Sequence, residues 1–211
     1  MTDLSYIAVE GVIGVGKTTF ARLLAEHIDA ELILEPAEEN PFLPRFYKDR
    51  TRFAFQTQVF FLLSRYQQLG QLAARDLFKQ RIVCDYIFDK DGLFASVNLS
   101  EPELLLYEKI VPLMKEKLPK PELVIYLQAG TDVLYDRIRK RGVPFERQIT
   151  RDYLEDLNSA YNYYFFHYDQ TPLLVVKTDE IDFVKRPEHL KDLLDQVERP
   201  VEGKQYYVPA P

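Results

Sequence analysis

The chain has 211 residues, of which 46% are hydrophobic and 28% are charged, and its net charge is −6 at pH 7. This composition is typical of a globular protein, and the length suits one α/β domain over residues 1–211. An acidic chain has little attraction for nucleic acid or for an anionic membrane surface. The longest apolar run, residues 59–63, is far too short to span a bilayer, and no basic leader precedes an apolar run. We therefore expect a cytoplasmic protein without a nucleic-acid or membrane partner.

A phosphate-binding loop follows the first apolar run of the chain. The loop consists of Gly11, Val12, Ile13, Gly14, Val15, Gly16, Lys17, Thr18 and Thr19, in the pattern G-x-x-x-x-G-K-T. The backbone N–H groups of such a loop, with the N-terminus of the following helix, bind a polyphosphate. Lys17 reaches the outer phosphates and the Thr18 hydroxyl ligates Mg²⁺. The loop predicts that the chain binds ATP or another nucleoside triphosphate together with Mg²⁺.

Short apolar runs alternate with helical patterns along the chain. The predicted strands are residues 6–9, 32–34, 82–84, 123–127 and 173–176. The predicted helices are residues 17–28, 52–78, 103–116, 133–141, 153–167 and 187–197. The runs lack a clean apolar–polar alternation, which is typical of parallel strands covered on both faces. We predict an α/β fold, a five-stranded parallel sheet with helices on both faces, and ligands at the carboxyl ends of the strands. The C-terminal tail, residues 199–211, is predicted to be loop-like over residues 199–204.

Acidic residues follow the second and third predicted strands. Pro36 ends the strand ladder after Glu35, so we expect Glu35 at the carboxyl edge of the sheet, beside the first strand. A carboxylate there can accept a proton from a substrate hydroxyl that attacks the γ-phosphorus. Asp85 ends the third strand and is placed to hold Mg²⁺ directly or through water. A helix cap or a solvated edge carboxylate is the alternative for each acid.

The segment that begins at Glu35 resembles the deoxynucleoside kinases. Residues 35–43 read E-P-A-E-E-N-P-F-L, similar to the E-P-x-x-x-N-P-x-L segment of that family. The similarity continues through residues 46–49, 55–65, 94–95, 137–142 and 182–183, and so covers nearly the whole chain. It is closest to the bacterial branch that acts on purine deoxynucleosides. The resemblance implies a P-loop kinase fold with a short arginine-rich lid at about residues 137–149.

The resemblance also implies roles at the acceptor site. Glu35 matches the general base that activates the 5′-hydroxyl, and Tyr47 matches a residue that contacts the sugar 3′-hydroxyl. Gln58 matches the amide that hydrogen-bonds the base, and Arg65 lies two helical turns beyond it. An amide complements the N6/N7 edge of adenine, although cytosine also presents a donor beside an acceptor. The other predicted substrate-binding residues are Phe61, Asp85, Glu146 and Phe94, of which the last either stacks on the base or packs in the core.

The predicted lid is rich in arginine. Arg137 and Arg141 are four residues apart, so they share one helix face and are predicted to converge on the phosphates. A solvated basic face is the alternative. The resemblance implies that Glu146 closes over the sugar and that Asp182 and Phe183 hold the adenine of the phosphate donor.

Two positions depart from the family pattern. The family usually has arginine after the acid of the third strand, as D/E-R-S, whereas Tyr86 follows Asp85 here. That arginine helps to hold the 5′-oxygen and phosphate, so its contact would pass to Arg65 or to a lid arginine, or activity would be altered. The lid commonly reads R-G-R, whereas Val143 follows Gly142 here, so one phosphate-facing cation is missing.

We expect ATP-dependent 5′-phosphorylation of a purine deoxynucleoside, deoxyadenosine first, in deoxynucleotide salvage. Lys17, Mg²⁺ and the lid arginines would stabilise the transferring phosphoryl group. The aromatic residues within 161–168 are expected to pack in the core. The resemblance to a family that is often dimeric implies a homodimer interface as the alternative.

Two other functions stay open on the sequence alone. A thymidylate-type nucleoside monophosphate kinase could use Arg45, Arg50 or Arg52 for the acceptor phosphate, but it would normally keep the arginine that Tyr86 replaces. A nucleotide-binding regulatory protein with degraded catalysis is disfavoured by the intact loop and strand-end acids.

Overall fold

The computed structural model describes residues 4–73, 81–116 and 118–209, and six strands lie in this part of the chain. The strands are β1 Tyr6–Glu10, β2 Glu31–Ile33, β3 Ile82–Cys84, β4 Leu123–Gln128, β5 Leu173–Lys177 and β6 Lys204–Tyr207. They form one sheet in the order β2-β3-β1-β4-β5-β6, and every pair of neighbours is parallel. The four central strands are almost wholly buried, which explains their apolar runs without alternation.

Helices cover both faces of this sheet, as predicted. Within the described residues the helices are α1 Lys17–His27, α2 Leu43–Phe46, α3 Arg50–Ala73, α4 Lys90–Asn98, α5 Glu101–Lys115, α6 Thr131–Arg141, α7 Arg151–His167 and α8 Pro187–Val197, with short 3-10 turns at Ala37–Glu39 and Pro144–Gln148. None of these helices is long and apolar enough to cross a membrane. The predicted helix at 52–78 corresponds to α3, and its last five positions lie outside the described residues. The sequence patterns did not predict α2 or α4.

The prediction of five strands is wrong, because within the predicted tail β6 adds a sixth strand at one edge of the sheet. It pairs in parallel with β5, from Leu173 opposite Lys204 to Val176 opposite Tyr207. The sequence of β6 is K-Q-Y-Y, and its residues are half-buried or exposed. An edge strand can be polar because part of its surface faces solvent, so it has no apolar run to mark it.

The position predicted for Glu35 beside the first strand is also wrong. The strand that precedes it, β2, lies at the other edge of the sheet and pairs with β3, which separates it from β1. Glu35 nevertheless reaches the end of β3, because its backbone N–H donates to Asp85 Oδ1 at 2.8 Å. Both acids therefore meet at the carboxyl edge of the sheet.

The predicted lid begins in the second half of α6, which ends at Gly142 in the left-handed conformation with φ 70°. This conformation is easy for glycine and lets the chain turn sharply at the end of the helix. The Pro144–Gln148 turn then leads to α7, where Tyr153 donates its backbone N–H to Thr150 Oγ1 at 3.3 Å. The turn is thereby held between two helices at the edge that carries the acids.

Candidate active site

The P-loop wraps tightly between β1 and α1. Gly14 and Gly16 have φ values of 88° and 102°, which other residues rarely adopt. A Cβ atom on Gly16 would lie 2.9 Å from the ring of Phe183. Glycine at this position therefore allows the segment before α8 that contains Phe183 to pack directly on the phosphate-binding loop.

An inner cavity of about 160 Å³ lies on one side of the P-loop. Lys17, Thr18 and Arg141 line it together with every residue predicted to bind substrate, namely Glu35, Tyr47, Gln58, Phe61, Arg65, Asp85, Phe94 and Glu146. Thr57 also lines the cavity, and its hydroxyl is buried and has no hydrogen-bond partner among the described residues. The structure thus gathers the predicted acceptor-site residues in one place.

An outer groove of about 530 Å³ lies on the other side of the loop. The predicted ATP-binding residues that line it are Val15, Gly16, Thr19, Arg137, Asp182 and Phe183. The Phe183 ring packs against Phe20 of α1, with ring centroids 5.7 Å apart. The P-loop therefore lies between an outer groove and a smaller inner cavity.

Glu35 is held by two buried cations. Arg65 donates from Nε and Nη2 to Glu35 Oε1 at 2.8 and 2.5 Å, and Lys90 donates from Nζ to Oε2 at 2.8 Å. Burial favours the neutral acid, but the charges of Arg65 and Lys90 outweigh it and hold the pKa of Glu35 well below its usual range. The carboxylate is therefore ionised and fixed in orientation.

Arg65 also joins Glu35 to a second acid, Asp91. Arg65 Nη1 donates to Asp91 Oδ1, and the Tyr107 hydroxyl donates to Oδ2 at 2.7 Å. Gln58 donates from Nε2 to the backbone oxygen of Asp91 at 2.6 Å. Burial raises the pKa of the Asp91 carboxyl despite these donors. A continuous polar network thus runs from Glu35 towards Gln58.

Two charged residues of the site, Lys90 and Asp91, were not predicted from the sequence. Both lie in the first turn of α4, a helix that the apolar pattern did not mark. The available signal was the dense run of charges in D-Y-I-F-D-K-D at residues 85–91, directly after a predicted strand.

Thr18 and Asp85 meet at the N-terminus of α1. The Thr18 hydroxyl donates to Asp85 Oδ2 at 2.6 Å. Among the described residues, no group of three or more His, Cys, Asp or Glu side chains could hold a metal by itself. Mg²⁺ commonly takes one or two protein oxygens and completes its shell with phosphate oxygens and water, so this pair fits the ion.

Three residues of the predicted lid, Arg141, Phe145 and Glu146, line the inner cavity. Arg141 Nη2 donates to both carboxylate oxygens of Glu146, at 2.5 and 2.6 Å. The Tyr47 ring stacks on Phe145, with centroids 6.1 Å apart and an interplanar angle of 10°. Phe94 also faces the cavity and packs edge-on against Tyr161, at 6.2 Å, so both roles considered for it are compatible with its position.

The structure does not bring Arg137 and Arg141 together on one phosphate site. Arg137 donates from Nη2 to the backbone oxygens of Thr178 and Ile181 at 2.6 and 3.2 Å, in the outer groove. Arg141 instead bonds Glu146 beside the inner cavity. The two residues lie one helical turn apart on α6, but Arg137 bonds its partners at the outer groove and Arg141 bonds its partner at the inner cavity.

The family of deoxynucleoside kinases matches residues 7–202 of the chain. This chain belongs to that family. It is 37% identical over 206 residues to deoxyguanosine kinase of Bacillus subtilis, covering 92% of this chain and 100% of the relative. It is 30% identical to deoxyadenosine kinase of Lactobacillus acidophilus, covering 92% and 95% of the two chains.

Solved deoxynucleoside kinase structures have the same fold. Deoxyadenosine kinase from M. mycoides with the products dCMP and a flexible dCDP matches with a TM-score of 0.79 and 28% identity, over 90% of this chain and 97% of the other. The same enzyme with bound dATP matches with a TM-score of 0.78 and 26% identity, over 92% and 98%.

The family assignment decides the class of reaction. The deoxynucleoside kinase described here is an enzyme that phosphorylates a deoxynucleoside with a nucleotide as phosphate donor. The alternatives of a thymidylate-type kinase and of a regulatory protein are therefore not retained. Consistent with this, none of Arg45, Arg50 and Arg52 is among the described residues that line the inner cavity.

Proposed function

We propose that the enzyme phosphorylates purine deoxynucleosides, deoxyadenosine first, and that Gln58 reads the base. Gln58 is only 4% exposed, and its bond to the Asp91 backbone fixes the plane of its amide. The amide oxygen and the second N–H then remain for the base. One acceptor beside one donor complements the N6/N7 edge of adenine.

Deoxyguanosine is the second candidate. The buried guanidinium of Arg65 lines the same cavity, and an arginine can donate to the O6 and N7 atoms of guanine. The 37% identity to a deoxyguanosine kinase also favours this base.

In the proposed mechanism, Glu35 accepts the proton of the 5′-hydroxyl as the oxygen attacks the γ-phosphorus in line. Lys17 and Arg141 line the cavity and would stabilise charge on the transferring group, while Arg137 lies on the donor side. Mg²⁺, held by Thr18 and Asp85, would neutralise charge on the donor phosphates. Closure of the lid at 137–149 would exclude water. Tyr47 and Glu146 would bind the sugar.

ATP as donor, a homodimer and a cytoplasmic location complete the proposal. The P-loop and the outer groove, with Asp182 and Phe183, support ATP. Two large aromatic side chains of α7, Tyr163 and Phe166, are exposed and support association of two copies. The location and the lack of a nucleic-acid partner stay predictions from composition.

The first experiment measures ADP release from Mg-ATP with deoxyadenosine, deoxyguanosine, deoxycytidine, thymidine and thymidylate offered separately. We expect turnover with a purine deoxynucleoside to be fastest. Fastest turnover with a pyrimidine would contradict the proposed role of Gln58.

The role of Glu35 is tested with Glu35→Gln. We expect kcat to fall by roughly 10²- to 10⁴-fold, because the general base is lost, while ATP affinity is retained. Glu38→Gln, at a neighbouring exposed acid, is the matched control and should leave kcat unchanged. Unchanged turnover of Glu35→Gln would remove this residue from the base role.

A further inference from the structure

Lys90 carries a buried positive charge into the inner cavity from the first turn of α4. The residue is 2% exposed, and its side chain lines the cavity. Its Nζ donates to Glu35 Oε2, which is its single hydrogen-bond acceptor among the described residues. An ammonium group has three N–H donors, so two remain for a ligand in the cavity.

The charges around Lys90 are those of the phosphate-transfer region. The acids that face it are Glu35, Glu10 and Asp85, and the cations are Lys17 and Arg65. Burial favours the neutral amine, but Glu35 and Glu10 outweigh it and raise the pKa of Lys90 above its usual value. Lys90 is therefore charged at neutral pH, bonds the proposed base directly, and lies near enough to the P-loop lysine for its charge to lower the pKa of Lys17.

The other cations expected to replace the missing family arginine are each held by at least two hydrogen bonds to acids, whereas Lys90 makes one among the described residues. Arg65 uses Nε and Nη2 on Glu35 and Nη1 on Asp91. The lid residue Arg141 bonds Glu146. Tyr86, at the position of the arginine, is fully buried and donates its hydroxyl to Gln68 at 2.7 Å, outside the cavity lining.

We propose that Lys90 is a catalytic residue that takes over the work of the missing arginine by binding the 5′-oxygen of the acceptor and the transferring phosphoryl group. This inference rests on the proposed function, in which Glu35 is the base. The 5′-oxygen forms a bond to the γ-phosphorus, the bond from that phosphorus to the β,γ-bridging oxygen breaks, and the hydroxyl proton goes to Glu35. Lys90 keeps its protons and stabilises the negative charge that develops on oxygen.

The test compares Lys90→Met and Lys90→Gln with the wild type at saturating substrates. We expect kcat to fall by about 10²- to 10³-fold, the usual cost of removing one donor to a developing oxyanion, with the KM for ATP unchanged. Glutamine retains a hydrogen-bond donor for Glu35 but carries no charge. The Lys90→Gln variant therefore tests the effect of the charge while a side chain that can bond Glu35 is kept. Lys115→Met, at a more exposed lysine paired with Asp89, is the matched control and should keep full activity.

Chemical rescue by small amines distinguishes a catalytic role of Lys90 from a purely structural one. Methylammonium or ethylammonium should restore turnover of Lys90→Ala, with a pH dependence that follows the protonated amine. Near-wild-type kcat in either uncharged variant would overturn the proposal, and so would a folded Lys90→Ala that no amine activates. Either of these outcomes rules out only the proposed role of Lys90 when the wild type and Lys115→Met turn over deoxynucleosides and Glu35→Gln does not. If the wild type phosphorylates no deoxynucleoside, the proposed function itself fails.

Discussion

At the scale of single residues, the site holds ionisable groups in unusual states because burial and neighbouring charges compete. Glu35 stays ionised because Arg65 and Lys90 both bond its carboxylate. A carboxylate with a low pKa is a weak base, so proton transfer should occur late, after the bond to phosphorus has begun to form. That timing suits phosphoryl transfer, in which positioning and charge stabilisation supply most of the catalysis.

Lys17 shows the opposite shift. Burial, and then the charge of Lys90, lower its pKa to about 8. A polyphosphate stabilises the protonated form, so ATP binding should take up protons near pH 8, and ATP affinity should fall as the pH rises through 8. The same shift predicts that the free protein gains stability between about pH 8 and the ordinary lysine pKa of about 10.4, because the unfolded chain binds the proton more tightly there.

This prediction is checked by calorimetry of ATP binding at pH 8 in phosphate and in Tris. Their ionisation enthalpies differ, so proton uptake appears as a difference in the observed binding enthalpy. Lys17→Met should abolish the difference, whereas Lys140→Met, at an exposed lysine of the outer groove, should keep it. Equal enthalpies for the wild type in both buffers would contradict the assigned shift.

At the scale of secondary-structure elements, the sequence predicted those with a strong internal pattern. Five strands and the helix after the P-loop follow from apolar runs and a known motif, and the structure confirms them. The edge strand β6 has no apolar run, because solvent covers part of it. The nine-residue helix α4 is short, and its first turn buries Lys90 and Asp91, whose burial is stable only because Glu35 and Arg65 arrive from distant parts of the chain. Local sequence patterns do not reveal partners that lie far away in the sequence.

The helix α7 divides its aromatic residues between the core and the surface. Tyr161 and Phe165 are fully buried, whereas Tyr163 and Phe166 are 71% and 66% exposed. Large exposed aromatics are typical of interfaces. We predict that the double variant Tyr163→Glu, Phe166→Glu is a monomer, while the wild type is a homodimer.

Light scattering coupled to size exclusion measures the mass directly. The matched control is Leu113→Glu on α5, whose side chain is 79% exposed on another helix, and it should keep the dimer. A monomeric wild type, or a dimeric double variant, would show that this face is not the interface.

At the scale of the whole molecule, the parallel sheet explains why the site could be predicted from residues far apart in sequence. All its strands end at one edge, so a loop after β1 and acids after β2 and β3 meet there whatever the strand order. The strand order decides only which strand lies beside Glu35, and on that point the prediction was wrong. The direction of each lid arginine also could not be predicted, because it depends on partners such as Glu146 and the Thr178 carbonyl oxygen.

One rigid helix, α6, connects the two cavities. Arg137 holds backbone oxygens at the outer groove, and Arg141, one turn later, bonds Glu146 over the inner cavity. A ligand that moves α6 at either cavity must therefore change the geometry at the other.

We predict that a non-hydrolysable ATP analogue strengthens binding of the preferred deoxynucleoside by about 5- to 150-fold, the usual range of coupling between sites. The nucleoside should strengthen binding of the analogue by the same factor. Calorimetric titrations of each ligand, with and without saturating amounts of the other, measure both factors. Arg141→Gln should reduce the coupling, whereas Arg139→Gln should preserve it, because Arg139 is exposed and bonds only the Tyr135 hydroxyl among the described residues. Equal affinities with and without the second ligand would mean that α6 does not connect the cavities, and the lid would then act on each substrate independently.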